Sequence, residues 1–150
     1  ETLNIISDLT TQEKEILSNF KYRKNKAVIH SDESSMPKNR KAWCSWNSSL
    51  NPKNNQQSSV TYWLNQLQNL KIDKNIFLTI NPFFNINTDL IYNTIDFTHP
   101  YYDQKALENQ SKLRSIQNIN NTLYAGSYFG YGFHEDGIKS SIEMLKTLND

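Results

Sequence analysis

GSYFGYGFHEDG, residues 126–137, holds all four glycines of a 150-residue chain within twelve positions. LYAG (123–126) leads into it as a short strand. Beyond it, Ile138, Ile142, Leu145 and Leu148 recur at i, i+4, i+7 and i+10, one face of a helix running from about Glu135 to Leu148. The order is strand, glycine-rich loop, helix. Glycine lets backbone approach a ligand closely, and a helix start offers unpaired N–H groups to an electron-rich group. Such a unit can cradle a cofactor, and it can equally be a plain connection that uses glycine to turn. It is not the GxGxxG dinucleotide fingerprint, which opens a βαβ unit.

Upstream of this segment, Asp103 is placed to cap a helix over 104–117, with Ala106, Leu107, Leu113 and Ile116 turned inward. Before it the pattern changes from helical to alternating. Strands are expected at 22–31, 41–48, 59–64, 76–80 (stopped by Pro82) and 90–97. The Asn-, Ser-, Pro- and Gln-rich stretch 47–58 reads as a loop, SSMP (34–37) as a turn, and 65–70 as a helical turn. Thr10 and Thr11 followed by Glu13 and Glu15 suit a helix start, giving a short helix at about 11–19. The fold class is α+β: a mixed or antiparallel sheet of about five strands with packed helices.

Composition narrows the function. Apolar residues make up 37% and aromatic residues 12%, a globular content despite 20 asparagines. A net charge of +1 from 16 basic and 15 acidic residues lacks the basic stripe of a nucleic-acid binder. The densest basic run, Lys21, Arg23, Lys24 and Lys26, reads as a solvated strand edge. One cysteine, Cys44, allows no intrachain disulfide, and its place between Trp43 and Trp46 suggests buried packing. Three scattered histidines give no metal-ligand spacing, so no metal is expected. His30 and His99 read as structural. His134, beside Glu135, can cap a helix or move a proton. Trp43, Trp46, Tyr62 and Trp63 can line an apolar cavity or fill the sheet's core. No apolar run approaches the ~18 residues of a membrane span, and Glu1 to Leu9 lacks the basic start of a signal peptide. A soluble cytoplasmic protein is the expectation. A peripheral membrane contact and a homo-oligomer stay open.

The segment 125–141, AGSYFGYGFHEDGIKSS, resembles the C-terminal flavin-binding segment of the flavin amine-oxidase superfamily. SSMPKNRKAWCSWN (34–47), VTYWLNQLQ (60–68), FLTINP (77–82) and HPYYD (99–103) are similar, in the same order, to a bacterial family of NAD/FAD-binding proteins. The resemblance implies the C-terminal part of an FAD-dependent oxidoreductase, amine oxidase or desaturase-like. Residues 1–100 would be substrate-domain-like strands, and 101–150 a helix, strand and helix completing the FAD site. The cofactor contacts it implies are Gly126, Ser127, Tyr128, Gly132, Phe133, His134, Glu135, Asp136, Gly137 and Ile138. Among them, the backbone N–H groups of Asp136, Gly137 and Ile138 would face the flavin pyrimidine edge, where a reduced flavin carries negative charge.

Two departures stand out: Asp136 replaces a glycine of the superfamily, and Ser127 stands where many relatives carry an acid. The superfamily holds its pyrophosphate in an N-terminal βαβ unit that this sequence lacks. The implied partners are therefore that missing half, or an equivalent chain, and a small-molecule substrate. FAD would bind weakly or not at all to this chain alone. The alternative is a non-catalytic module that pairs with a separate FAD-binding chain.

Overall fold

The computed structural model describes residues 2–148. It is α+β, with one five-stranded sheet and four α-helices among those residues. In chain order they are α1 (Thr11–Leu17), β1 (Lys21–His30), β2 (Trp46–Asn51), β3 (Asn54–Trp63), α2 (Leu64–Leu67), β4 (Phe77–Ile80), β5 (Ile91–Tyr101), α3 (Gln104–Gln110) and α4 (His134–Lys146). The sheet order is β2-β3-β4-β1-β5, and the β2–β3, β3–β4 and β1–β4 pairs are antiparallel.

The chain divides into two compact units: Lys24–Thr98, and Glu1–Arg23 together with His99–Asp150. In the first, the alternation of strand side chains sorts the sheet into two unlike faces. One carries His30, Ser59, Thr61, Phe77 and Thr79, all buried. Polar groups tolerate this because they bond one another: His30 Nε2 donates to Thr79 Oγ1 at 2.7 Å, and the Thr79 and Thr61 hydroxyls are 3.0 Å apart. His30 Nδ1 accepts the Asp32 N–H at 3.1 Å, which fixes the proton on Nε2. The opposite face carries Trp46, Val60, Tyr62, Leu78 and Ile80, none of them buried, with Trp46 65% exposed.

The second unit has a conventional apolar core. Ile16 and Leu17 of α1 pack on Leu113, Ile116 and Tyr124, flanked by Phe20, Tyr128 and Phe129. Thr10 and Glu13 form a reciprocal capping box at the start of α1, as the early hydroxyl and acid suggested. Asp103 caps α3 by accepting the Ala106 N–H at 2.9 Å.

Several expectations are corrected. The 47–58 loop is the hairpin of β2 and β3, because polar side chains can point outward from an exposed ribbon. The strand drawn at 41–48 begins only at Trp46; Arg40–Ala42 form a 3-10 turn capped by the Asn39 side chain. The 104–117 helix tightens to 3-10 geometry over Ser111–Ile116, and Leu107 is 47% exposed while Ala106, Leu113 and Ile116 are buried. No strand forms at 123–126; an isolated Ile119–Thr122 bridge precedes it, with Asn118, Asn120 and Asn121 at positive φ. The basic residues of β1 are exposed, and they precede the Ala27–His30 stretch through which β1 pairs with β4. Cys44 is exposed. The helix expected to reach Leu148 ends at Lys146, and Ile138, Ile142, Leu145 and Leu148 are 53–59% exposed.

Candidate functional site

The glycine segment folds as a 3-10 turn, Ser127–Phe129, and a loop over 130–133 that leads into α4. Three glycines are required by their surroundings, the first being Gly126, at φ +153° with the Tyr128 ring where its Cβ would be. Gly132 has φ +93°, a conformation side chains resist, and a Cβ there would meet the Tyr102 ring and hydroxyl. A Cβ on Gly130 would run into the Asp136 carboxylate. That carboxylate closes the loop onto the helix: it accepts the N–H of Tyr131 and of Phe133, each at 3.0 Å. An acid in the first turn also opposes the helix's positive end.

The ten expected cofactor contacts fall into two groups. Gly126, Ser127 and Tyr128 are turned toward the unit's own packing. The Gly126 N–H donates to Ser140 Oγ at 2.9 Å, and the Ser127 carbonyl accepts the Gly130 and Gly132 N–H groups. The Tyr128 ring sits 5.3 Å from Phe20 and 5.0 Å from Phe129, and burial pushes its hydroxyl up to about 12. Phe133, His134, Glu135 and Ile138 are exposed, with Gly132 beside them; Asp136 and Gly137 are half-buried.

The backbone donors differ from those the resemblance implied. The N–H groups of Asp136 and Gly137 bond the Phe133 carbonyl at 3.1 and 3.3 Å, and Ile138 lies within the helical ladder. Among the described residues, the first-turn amides without a protein acceptor are those of His134 and Glu135. Tyr131 and Phe133, 79% and 70% exposed, lie next to them in the chain. The arrangement can place a flat ring against aromatic side chains and a ring oxygen against two amides. It fits the edge of a flavin ring. The amides of Gly126, Phe129, Gly130, Tyr131, Gly132 and Phe133 are bonded internally and take no part in such a contact. The Glu135 carboxylate is 3.7 Å from the Lys139 ammonium, one turn away on the same helix.

Three residues outside the expected set hold this segment. Gln110 Nε2 donates to the Tyr128 and Gly130 carbonyls at 3.2 and 2.5 Å. Ser140 accepts from Gly126 and donates to the Gly137 carbonyl at 2.8 Å. Tyr102 packs under Gly132, and its buried hydroxyl faces the Ser127 side chain without a hydrogen bond of good geometry. Local spacing carries no signal for Gln110 or Tyr102, since they sit 20 and 30 residues from their partners. The tryptophans split: Trp43 packs edge-on against Trp63 and Phe77, while Trp46 stacks edge-on with Tyr62 on the open face. His99 is exposed at the end of β5, and His30 is buried.

No group of three or more His, Cys, Asp or Glu among the described residues could hold a metal ion. No helix among them is long and apolar enough to cross a membrane. No protein-family model matches the chain, and no curated protein matches it.

Proposed function

We propose that this chain supplies the C-terminal part of an FAD-dependent oxidoreductase of the flavin amine-oxidase type, working in the cytoplasm. The observation that carries the reading is the exposed start of α4: two amides without acceptors, beside two exposed aromatic side chains, at the segment whose sequence resembles the superfamily's flavin-binding end. Bound there, the flavin would accept a hydride from a C–N or C–C bond and pass the electrons on. The residues of this chain would hold the ring's edge and favour negative charge on it through the helix start. His134 and Glu135 supply the amides. Tyr131 and Phe133 supply the apolar surface. Asp136 fixes the loop.

A second body is needed to hold the phosphates and adenosine, and α4 offers a place for one. Its exposed apolar stripe of Ile138, Ile142 and Leu145, with Leu148 just beyond the helix end, is the kind of surface that interfaces cover. The same stripe suits the alternative, in which this module carries no catalytic group and pairs with a separate FAD-binding chain.

The test is co-expression with a chain bearing a GxGxxG βαβ unit from the same locus. Purified alone, this protein is expected to be colourless and to leave FAD fluorescence unquenched. Co-purified, the pair is expected to be yellow, with flavin absorbance in proportion to the complex. A stable pair that stays colourless when supplied with FAD refutes the flavin reading.

A further inference from the structure

The second unit also contains a groove that the flavin reading does not use. It lies between the Gln110–Gln117 segment and α4, and its volume is about 300 Å³. It shares only Asp136 with the ten residues of that reading. Its size is at the small end for ligand sites.

The hydrogen bonding of the lining decides what the groove can recognise. Most of its polar groups are already engaged. Gln117 bonds the Tyr124 backbone at both ends of its amide, with Nε2 donating at 2.7 Å and Oε1 accepting at 2.9 Å. Ser140 both accepts and donates, and Asp136 holds two amides. Lys139 is paired with Glu135, and Glu143 with Lys146.

Arg114 is the exception: its guanidinium has no ion-pair partner among the described residues. Phe129 and Met144 give the groove an apolar surface, and a thioether adapts to whatever shape lies on it. A single unpaired cation beside apolar surface favours an anion with an apolar body. Guanidinium matches a carboxylate with two parallel hydrogen bonds. The carboxylates of Asp136 and Glu143 line the same groove and repel a dianion. Glu143 is held below its ordinary range, first by its bond to Lys146 and lastly by the charge of Arg114, so it stays ionised at neutral pH.

We infer that this groove binds a small aromatic or aliphatic monocarboxylate, its carboxylate on Arg114 and its apolar body on Phe129 and Met144. The inference does not depend on the flavin, so it is tested on this chain alone.

The probe is benzoate, titrated into isotope-labelled protein while the Met144 methyl and Gln110 side-chain amide signals are followed by NMR. Benzoate is expected to shift both signals saturably, and benzamide and inorganic phosphate are expected to shift them far less. Arg114→Gln should weaken benzoate by at least about tenfold, and Glu143→Gln should tighten it by about twofold to fivefold, as removal of an opposing charge requires. Arg114 is exposed, so its substitution should leave the folded spectrum otherwise intact. No saturable shift with benzoate overturns the proposal. So does an unchanged affinity in Arg114→Gln, and so does phosphate binding as well as benzoate, which would mean that the groove reads charge alone.

Discussion

The Tyr124 hydroxyl donates to Glu13 Oε1 at 2.7 Å, joining residues 111 apart in sequence. The same carboxylate accepts the Thr10 N–H and hydroxyl, each at 2.7 Å. Burial pushes Glu13 up, but the bonds from Thr10 and Tyr124 outweigh it, and its carboxyl lies below the ordinary 4.5. This one acid therefore caps α1 and ties it to the 117–124 segment. Tyr124→Phe leaves a buried carboxylate oxygen short of a donor and should cost about 1–3 kcal/mol in urea unfolding. Because the folded value is depressed, the stabilisation is full above pH 4.5 and is lost as pH falls through the folded value. A Tyr124→Phe protein as stable as the parent would show that the bond contributes nothing.

His30 makes the opposite kind of group sensitive to acid. Burial holds its imidazole below the ordinary 6.5, partly countered by the charge of Asp32. The folded state prefers it neutral, with Nδ1 accepting from Asp32 N–H and Nε2–H bonded to Thr79. The unfolded chain binds the proton more readily, so stability is full above pH 6.5 and falls as pH drops below it. Stability measured between pH 8 and pH 5 should decline in the parent. The decline in that window should shrink in His30→Gln, which starts from a lower stability. Equal slopes in the two proteins would mean that another group titrates there.

The Tyr102 hydroxyl is buried without a hydrogen bond of good geometry, although the Ser127 side chain faces it, and burial pushes its pKa up. An unsatisfied buried hydroxyl costs free energy that its removal recovers. Tyr102→Phe keeps the ring under Gly132 and should be neutral or more stable by about 1 kcal/mol, against the usual sign of a core substitution. A loss of stability on thermal unfolding would show that the Ser127 side chain bonds this hydroxyl.

What could be foreseen from sequence depended on how local its cause was. The α1 cap, Asp103 as a cap and the strand before Pro82 follow from residues within a few positions of one another, and all three form, although only Phe77 and Thr79 of that strand are buried. The 47–58 hairpin was hidden because its polar residues look like a loop, although a ribbon with exposed faces accepts them. Leu107 was assigned inward from a helical pattern and Cys44 from its flanking tryptophans, and both are exposed. At the candidate site, the crowding of glycines was visible. The donors that remain free were not, because they depend on Asp136 folding back onto Tyr131 and Phe133.

The glycines within this segment should answer substitution in different ways. Gly132→Ala forces a side chain into φ +93° against Tyr102 and should cost about 1–3 kcal/mol. Gly130→Ala displaces the Asp136 carboxylate and should expose the amides that it holds, seen as faster hydrogen exchange at Tyr131 and Phe133. Gly137 has room for a Cβ in the first turn of α4, which would meet Ser127 N at 3.8 Å, an ordinary van der Waals contact. Gly137→Ala should therefore stabilise by about 0.5–1 kcal/mol through helix propensity. Uniform losses at all three positions would contradict this account of the loop.

The exposed stripe on α4 separates folding from assembly. Ile142 and Leu145 contribute little to the core of their own unit, since each is more than half exposed. Ile142→Lys and Leu145→Glu should leave thermal unfolding of the chain alone within a degree or two, because exposed helix positions tolerate charge. If α4 docks on a nucleotide-holding partner, the same changes place a charge in an apolar interface and should abolish co-purification and yellow colour together. Charged variants that still form a yellow complex would move the docking surface elsewhere. Variants that unfold on their own would show that the stripe already belongs to the chain's own core.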